Sequence, residues 1–289
     1  FGVTRGLLQM FGPKRVIDTP ISEAGFTGIG IGGAAMGLKP IVEILYSDWI
    51  TLAMDQIVNM AAKMRYMFGG NIEMPLVIRA PFGAGGGNAA QHSQSFEAWF
   101  NHIPGLKVAT PITPHDVKGM LTTAIHDKNP VIFFEHKRAY QMKGEVQEEQ
   151  YEVPFGEAVI RREGKDVTIV SYSIMSLKAM EAAEELDKEG IDCEVIDLRS
   201  IVPLDYEKII SSLAKTNRIV VVQEANLRGG LASDIVAEII DRGFDLLDGP
   251  PVRVGGLNVP MPYNMKLENY VIPSKDKIKE GVYNALKNY

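Results

Sequence analysis

The sequence predicts an α/β protein of two domains, each with a parallel-rich sheet covered by helices. Short apolar, β-rich runs alternate with helix-length segments along most of the chain, which is the pattern of α/β folds. A polar, acidic stretch interrupts the alternation once, at residues 141–156. With 289 residues, the chain is long enough for one large or two ordinary domains with real cores.

The first predicted domain covers residues 1–140. Four runs are predicted to be strands, and the middle ones are nearly continuous in apolar residues, as buried parallel strands are: 39–45, 74–80, 106–111 and 130–136. Helix-length segments between them cover 48–68 and 114–127, the second with Pro and Asp in its first turn. This half therefore reads as strands with helical crossovers.

The patternless stretch 141–156 is predicted to be a linker, and residues 157–289 the second domain. Strands are expected at 167–173, 193–200 and 218–225, with helices from Met175 to a C-cap at Gly190 and from Asp205 onward. These elements make two successive βαβ units. We therefore expect a second small parallel sheet.

Composition excludes several classes of protein. Lys plus Arg total 30 against 36 for Asp plus Glu, with no basic cluster, so nucleic acid is not expected as a partner. The single cysteine, Cys193, rules out an intrachain disulfide and favours a reducing, cytoplasmic setting. No apolar run approaches the roughly 18 residues of a membrane span. Because the chain opens with Phe1, we expect that an N-terminal piece precedes it.

Three glycines match a dinucleotide-binding fingerprint in their spacing but not in their predicted secondary structure. Gly28, Gly30 and Gly33 have the G-x-G-x-x-G spacing, but that motif needs a strand, a tight turn and then a helix start. Here the preceding segment offers Ser22 as a helix cap, which places the glycines inside the helix. We therefore expect close helix packing, with dinucleotide binding as the alternative.

Two features carry candidate chemistry. Glu23 is a lone acid before a run of small and apolar residues, although an acid in a first helical turn is also favoured by the helix dipole. The glycine-rich stretch 81–95 follows a predicted strand, where open α/β sheets bind ligands, and it contains His92. Histidine can exchange a proton near neutral pH. The other four histidines show no metal-ligand spacing and are predicted to be structural or surface residues: His102, His115, His126 and His136.

Eight ordered blocks give the chain a resemblance to a known family over its whole length. They are SEAGF with its small-residue helix, SDWITLAMDQIVNMAAKMRYM, APFGAGGGNAAQHSQSFEAWF, PGLKVATP, DKNPVIFFEHK, EVIDLRSIVPLD, EANLRGG and VPMPYN. The chain resembles the β subunit of thiamine-diphosphate-dependent E1 components of pyruvate, branched-chain 2-oxoacid and acetoin dehydrogenase complexes. The resemblance implies a transketolase-like pyrimidine-binding domain followed by a transketolase C-terminal domain.

The resemblance also implies roles for individual residues. The family's acid at the position of Glu23 hydrogen-bonds N1′ of the cofactor's aminopyrimidine and promotes its imino tautomer. Trp49 matches an aromatic residue against the pyrimidine face, with Tyr46 as a close alternative. His92 matches a histidine that orients substrate or protonates a lipoyl sulfur during reductive acylation. A structural potassium ion is implied at Leu76, Ala124, Ile125, Asp127 and Asn129.

The sequence lacks one part of the family's cofactor site. The diphosphate is held through Mg²⁺ by a Gly-Asp-Gly motif, and no such triplet occurs here. The resemblance therefore implies a separate α subunit that binds Mg²⁺ and the diphosphate, an α2β2 heterotetramer, and an E2 lipoyl acyltransferase as partner.

The substrate and the class of protein have alternatives. Acetoin is favoured over pyruvate and branched-chain 2-oxoacids, because AAKMRYM and FFEHK look closest to acetoin-type members. Transketolase and deoxyxylulose-phosphate synthase share the implied fold, but they carry both cofactor halves on one chain. A non-catalytic dinucleotide-binding or scaffold subunit is the other alternative, in which Glu23 and His92 are structural.

Overall fold

The computed structural model describes residues 2–287. Within them the protein contains two five-stranded sheets. Both sheets are mostly parallel and carry helices as crossovers, so the predicted fold class is confirmed. Parallel strands must be joined by long crossovers, and the alternation of apolar runs with helical segments encodes those crossovers.

The first sheet has the order β1-β2-β4-β3-β8. Its strands are β1 (Ile41–Glu43), β2 (Val77–Phe82), β3 (Lys107–Ala109), β4 (Val131–His136) and β8 (Ser200–Val202). β2 and β4 are buried along their whole length, as their continuous apolar sequences predict. The four strands predicted in this half are all present, at shorter bounds.

The second sheet has the order β10-β9-β6-β7-β5. Its strands are β5 (Val159–Arg162), β6 (Val167–Ser171), β7 (Cys193–Asp197), β9 (Ile219–Asn226) and β10 (Val252–Gly256). The two predicted βαβ units pair β6 with β7 and β6 with β9 in parallel. The sequence prediction missed the edge strands β5 and β10, and β5 runs antiparallel to β7.

Ten α-helices surround the sheets within residues 2–287. They are α1 (Leu7–Phe11), α2 (Glu23–Ala35), α3 (Ala62–Met67), α4 (Glu97–Asn101), α5 (Pro114–His126), α6 (Ile174–Asp187), α7 (Tyr206–Thr216), α8 (Leu231–Gly243), α9 (Met265–Val271) and α10 (Lys275–Ala285). Asp205 caps α7 by accepting a hydrogen bond from Lys208 N, as its position before the helix predicts.

The prediction of one helix over 48–68 was wrong in detail. A 3₁₀ helix (Ser47–Ala53) and a π-helical turn (Gln56–Ala61) precede α3, so the segment changes its hydrogen-bond pattern twice. Tertiary packing decides such changes, because the buried residues Ile50, Ala53 and Ile57 must all face the first sheet.

The two halves of the chain share a hydrophobic core and a strand. β8 comes from the half predicted as the second domain, yet it pairs antiparallel with β3 in the first sheet. One continuous cluster of buried residues joins Phe134 in the first half to Tyr172 and Ile235 in the second. Beyond residue 150 the predicted linker also packs, since Val153 is buried against α5.

The glycines of α2 serve close packing. A side chain at Gly30 would come within 2.6 Å of Val42 Cγ2 and 3.4 Å of Leu76 Cδ1. All three fingerprint glycines lie inside this helix, and no strand precedes it from residue 2 onward. The turn that dinucleotide binding requires is therefore missing at this place, as expected.

Candidate active site

The candidate site lies at the carboxyl edge of the first sheet. β1, β2 and β4 are parallel neighbours, so the segments that follow them meet at one edge. Tyr46 and Trp49 follow β1, the glycine-rich stretch follows β2, and Lys137 follows β4. We call residues 83–95 the glycine loop. The topology thus gathers three separate sequence motifs.

His92 lies between the two aromatic residues that the resemblance singled out. Its ring centroid is 4.8 Å from that of Tyr46 and 5.5 Å from that of Trp49, in edge-on geometry with interplanar angles of 88° and 81°. All three rings are half-buried. Apolar ring edges hold the imidazole in one orientation while leaving it accessible to a proton donor or acceptor.

Backbone contacts fix the far end of the glycine loop. Asp48 Oδ1 accepts hydrogen bonds from Gln94 N (3.2 Å) and Gln94 Nε2 (2.8 Å), and the Ser47 hydroxyl donates to Gln94 O (3.2 Å). The Lys137 ammonium donates to the carbonyl oxygen of His92. The elements after β1 and β4 therefore both anchor the backbone around His92.

Glu23 occupies the first turn of α2, as the sequence predicts. Its side chain is half-buried, and within residues 2–287 it has no hydrogen-bond or ion-pair partner. Helix α2 packs against the 3₁₀ helix that carries Trp49. A carboxylate with free acceptor oxygens, on a helix that packs against the segment carrying Trp49, suits the protonated nitrogen of an aminopyrimidine, so the residues present fit that half of thiamine diphosphate.

The second half of the chain adds two carboxylates that the sequence analysis missed. Glu224, on β9, accepts from Ala84 N (2.7 Å) and pairs with His136 Nε2 (3.1 Å). Glu268, on α9, accepts from Gly85 N (2.8 Å) and Gly87 N (3.0 Å). In the sequence, Glu224 is only weakly marked as a candidate site residue, as an acid after the apolar run of β9. No sequence pattern singles out Glu268.

A third buried carboxylate, Glu97, follows the glycine loop. It is fully buried and accepts a hydrogen bond from the Tyr172 hydroxyl (2.7 Å), while its other oxygen has no partner among the described residues. Burial raises the pKa of Glu97 to about 7, although the Tyr172 hydrogen bond opposes the shift. For Glu224, burial is outweighed by the charge and hydrogen bond of His136 and by the Ala84 amide, which lower its pKa to about 2.

The side chains implied at a potassium site, Asp127 and Asn129, bind each other and two protein cations. Asp127 accepts from Asn129 N (2.8 Å) and Asn129 Nδ2 (2.9 Å) and pairs with Lys107. Asn129 Oδ1 accepts from Arg65 (2.7 Å). Lys107 and Arg65 thus already contact these side-chain oxygens. Among the backbone oxygens, Leu76 O accepts from Val131 N (2.8 Å) and Ala124 O accepts from Asp127 N (3.3 Å). A carbonyl oxygen has two lone pairs, so the potassium site stays a prediction.

The remaining histidines and the cysteine show no sign of a metal site. His136 is buried against Glu224, His126 pairs with Glu152 (2.5 Å), and His115 stacks on Tyr151. Among residues 2–287, no three His, Cys, Asp or Glu side chains gather as metal ligands, and no helix could span a membrane. The thiol of Cys193 is buried, which raises its pKa to about 12.

Family models assign both halves of the chain to one class of protein. Residues 1–143 match the transketolase pyrimidine-binding domain, and residues 156–278 match the transketolase C-terminal domain. A solved structure described as a split gene transketolase, an inactive β4 tetramer, superposes with a TM-score of 0.81 and 25% identity. The superposition covers 99% of this chain and 88% of the solved chain. The fold and site therefore define a transketolase-like, thiamine-diphosphate-dependent class.

Curated relatives narrow this class. The β subunit of acetoin:2,6-dichlorophenolindophenol oxidoreductase from Bacillus subtilis (strain 168) is 49% identical over 96% of this chain and 81% of its own length. The β subunit of the pyruvate dehydrogenase E1 component from Rickettsia conorii is 48% identical over 98% and 86%. The chain belongs to this family of E1 β subunits of acetoin and pyruvate dehydrogenases.

Proposed function

We propose that this chain binds the aminopyrimidine half of thiamine diphosphate and, with an α subunit, catalyses the E1 step on acetoin, pyruvate or a branched-chain 2-oxoacid. When bound, the cofactor supplies a carbanion that attacks the substrate carbonyl. The observation that carries the proposal is the unpartnered Glu23 carboxylate on α2, which packs against the 3₁₀ helix whose Trp49 contacts His92.

Glu23 would stabilise a protonated ring nitrogen. Because its oxygens have no partner among the described residues, its full acceptor capacity is available to a ligand. Trp49, or Tyr46 beside it, would pack against the flat pyrimidine. Glycines in α2 allow the helix to lie close to β1, which keeps the Glu23 turn next to the sheet edge.

An exposed apolar surface beside Glu23 supports a partner subunit. Ile21, Ile29 and Met36 on and before α2 expose 83%, 69% and 85% of their areas, and Leu52 in the neighbouring 3₁₀ helix exposes 56%. Contiguous exposed apolar residues of this kind mark protein interfaces. We assign this surface to an α subunit, which would bring Mg²⁺ and the diphosphate site in an α2β2 heterotetramer.

His92 would serve the transfer of the acyl group. Its imidazole is held between two rings at the sheet edge, where it can donate a proton. The acceptor would be a lipoyl sulfur on an E2 acyltransferase, which needs a proton when the lipoyl disulfide opens. The potassium site implied by the resemblance stays a prediction in this proposal, and Lys107 and Arg65 already contact the side-chain oxygens of Asp127 and Asn129.

Acetoin is the first candidate among the substrates. The segments 61–67 and 133–137 look closest to acetoin-type members, while acetoin and pyruvate relatives are nearly equally identical, at 49% and 48%. Comparing kcat/KM for acetoin, pyruvate and a branched-chain 2-oxoacid with the assembled enzyme tests this choice.

Replacing Glu23 with Gln tests the proposed function itself. The variant should fold and assemble with its α subunit, and turnover should fall at least about 100-fold, because loss of a proton-handling group costs this much or more. Asp18→Asn is the matched control, since Asp18 is a nearby, exposed acid. Normal turnover of the Glu23→Gln enzyme would contradict the proposal.

A further inference from the structure

The glycine loop is held from the other half of the chain. Both oxygens of Glu268 accept backbone hydrogen bonds from it, at 2.8 Å from Gly85 N and 3.0 Å from Gly87 N. Glu268 is fully buried in α9, about 180 residues further along the chain. A buried carboxylate whose two oxygens each take one loop amide fixes both the position and the tilt of that backbone.

A second carboxylate extends the same contact. Glu224 accepts from Ala84 N at 2.7 Å, so three loop amides bind two acids of the second half. The loop is also packed from that side, since Gly87 lies against Tyr263 and Met265, just before Glu268. We call Glu224 and Glu268 the carboxylate clamp.

His92 lies between the clamp and the anchors at Gln94. The clamp holds residues 84–87, and Asp48 with Ser47 holds Gln94. Only a short stretch separates the two fixed points, and His92 N returns to Ala89 O at 3.4 Å within it. The position of the imidazole relative to Tyr46 and Trp49 therefore depends on the clamp as well as on the anchors at Gln94 and Lys137.

We propose that Glu268 is a positioning residue that acts through His92, placing its imidazole for proton transfer by holding the amides of Gly85 and Gly87. This inference rests on the proposed function, in which His92 serves the lipoyl-linked step. Through the clamp, the second half of the chain would influence the position of a proton-transfer group at the edge of the first sheet.

Glu268→Gln is the informative substitution because it keeps the size of the side chain. Glutamine offers one carbonyl oxygen and one NH2 group, so its donor would face a loop amide that is also a donor. One of the two hydrogen bonds is then lost, while the packing of α9 is kept. Glu280→Gln, on the exposed side of α10, is the matched control.

The experiment compares two assays of the assembled enzyme. One follows acyl transfer to a free lipoyl domain, and the other follows reduction of the dye 2,6-dichlorophenolindophenol, which needs no proton on a lipoyl sulfur. We expect Glu268→Gln to lower the lipoyl-linked kcat by roughly 10- to 100-fold, as a misplacement of about 1 Å does, and the dye-linked kcat by less than about threefold.

A double-mutant cycle with His92→Ala shows whether the effect runs through His92. If it does, Glu268→Gln adds no further loss to the His92→Ala enzyme. Equal losses in both assays, or additive losses in the cycle, would overturn the inference and leave Glu268 a structural residue. A normal lipoyl-linked rate in His92→Ala alone would instead remove the proposed role of His92.

Hydrogen exchange gives a readout without catalysis. Glu268→Gln should speed amide exchange in peptides covering residues 83–92 and leave β6 and β9 protected, whereas Glu280→Gln should change neither. Unchanged exchange in the glycine loop would overturn the clamp. If Glu268→Gln fails to fold, Glu268→Asp replaces it in the same cycle, since aspartate keeps the charge but shortens the reach.

Discussion

The two sheets each have five strands and are mostly parallel, but their strand orders and their carboxyl edges differ. In the first sheet, β2 is followed by the long glycine loop before α4 begins at Glu97. In the second sheet, β6 is followed by only Tyr172 and Ser173 before α6 begins. Tyr172 points its hydroxyl into the first half and hydrogen-bonds Glu97, so that edge is filled by protein.

This difference shows that the loop, and not the sheet, creates the site. Each of the two parallel sheets offers a carboxyl edge, and the glycine loop with the half-buried His92 lies at the edge of the first. Buried side chains at the carboxyl edge of the second sheet hydrogen-bond residues in the first half of the chain.

Gly83→Ala should be the most destabilising of these substitutions. Gly83 has φ of +88°, and an added methyl group would collide with His136 and lie 2.8 Å from Glu224 Oε1. Strain and overpacking together should cost about 2–5 kcal/mol of unfolding free energy. Gly190→Ala in the second region, with φ of +84° and no neighbour within 4 Å, should cost only about 1 kcal/mol. Equal losses in chemical denaturation would contradict this contrast.

Glu224→Gln should destabilise by about 3 kcal/mol at pH 7. The substitution leaves the buried His136 without its carboxylate partner, and breaking a buried pair costs this much. Replacing His136 with Gln as well should recover part of the loss, which a double-mutant cycle of unfolding free energies would measure. A neutral Glu224→Gln variant would show that the pair is not charged in the folded protein.

Glu97 should make stability fall as pH rises. Its folded pKa of about 7 lies above its unfolded value, so the folded state binds the extra proton. The contribution is fully present below about pH 4.5 and is lost as pH rises through about 7. Glu224 and the Tyr172 hydroxyl face this group and keep their charge states across that window.

Glu97→Gln should therefore remove part of the pH dependence. The difference in unfolding free energy between Glu97→Gln and wild type should shift by on the order of 2–3 kcal/mol in favour of the variant from pH 5 to pH 8. Unfolding by denaturant at both pH values measures it. A constant difference would mean that Glu97 is ionised throughout.

Local patterns accounted for much of the fold. The buried strands β2 and β4 and the start of α7 at Asp205 follow from apolar runs and capping residues within a few positions. The edge strands β5 and β10 were missed because they are short and only partly buried, which weakens their pattern. The 3₁₀ and π segments before α3 were missed because neighbours determine them.

The candidate site was predictable only in part. Glu23 and His92 were candidates from their sequence setting, the resemblance added Tyr46 and Trp49, and the structure brings three of these four residues into ring contact. Residue type and position alone did not reveal Glu268, because a glutamate in a polar segment is usually solvated. Burial and its two amide partners are visible only in the folded chain.

The sequence alone predicted the fold class and the alternation of strands with helical crossovers, because these depend on periodicity and local motifs, and its resemblance to a family predicted the candidate site residues. Only the tertiary structure decided that β8 joins the first sheet, that Tyr172 closes the second edge, and that Glu224 and Glu268 hold the glycine loop. Those features join residues up to 183 positions apart, and hydrogen bonds over such separations leave no periodic trace in a sequence.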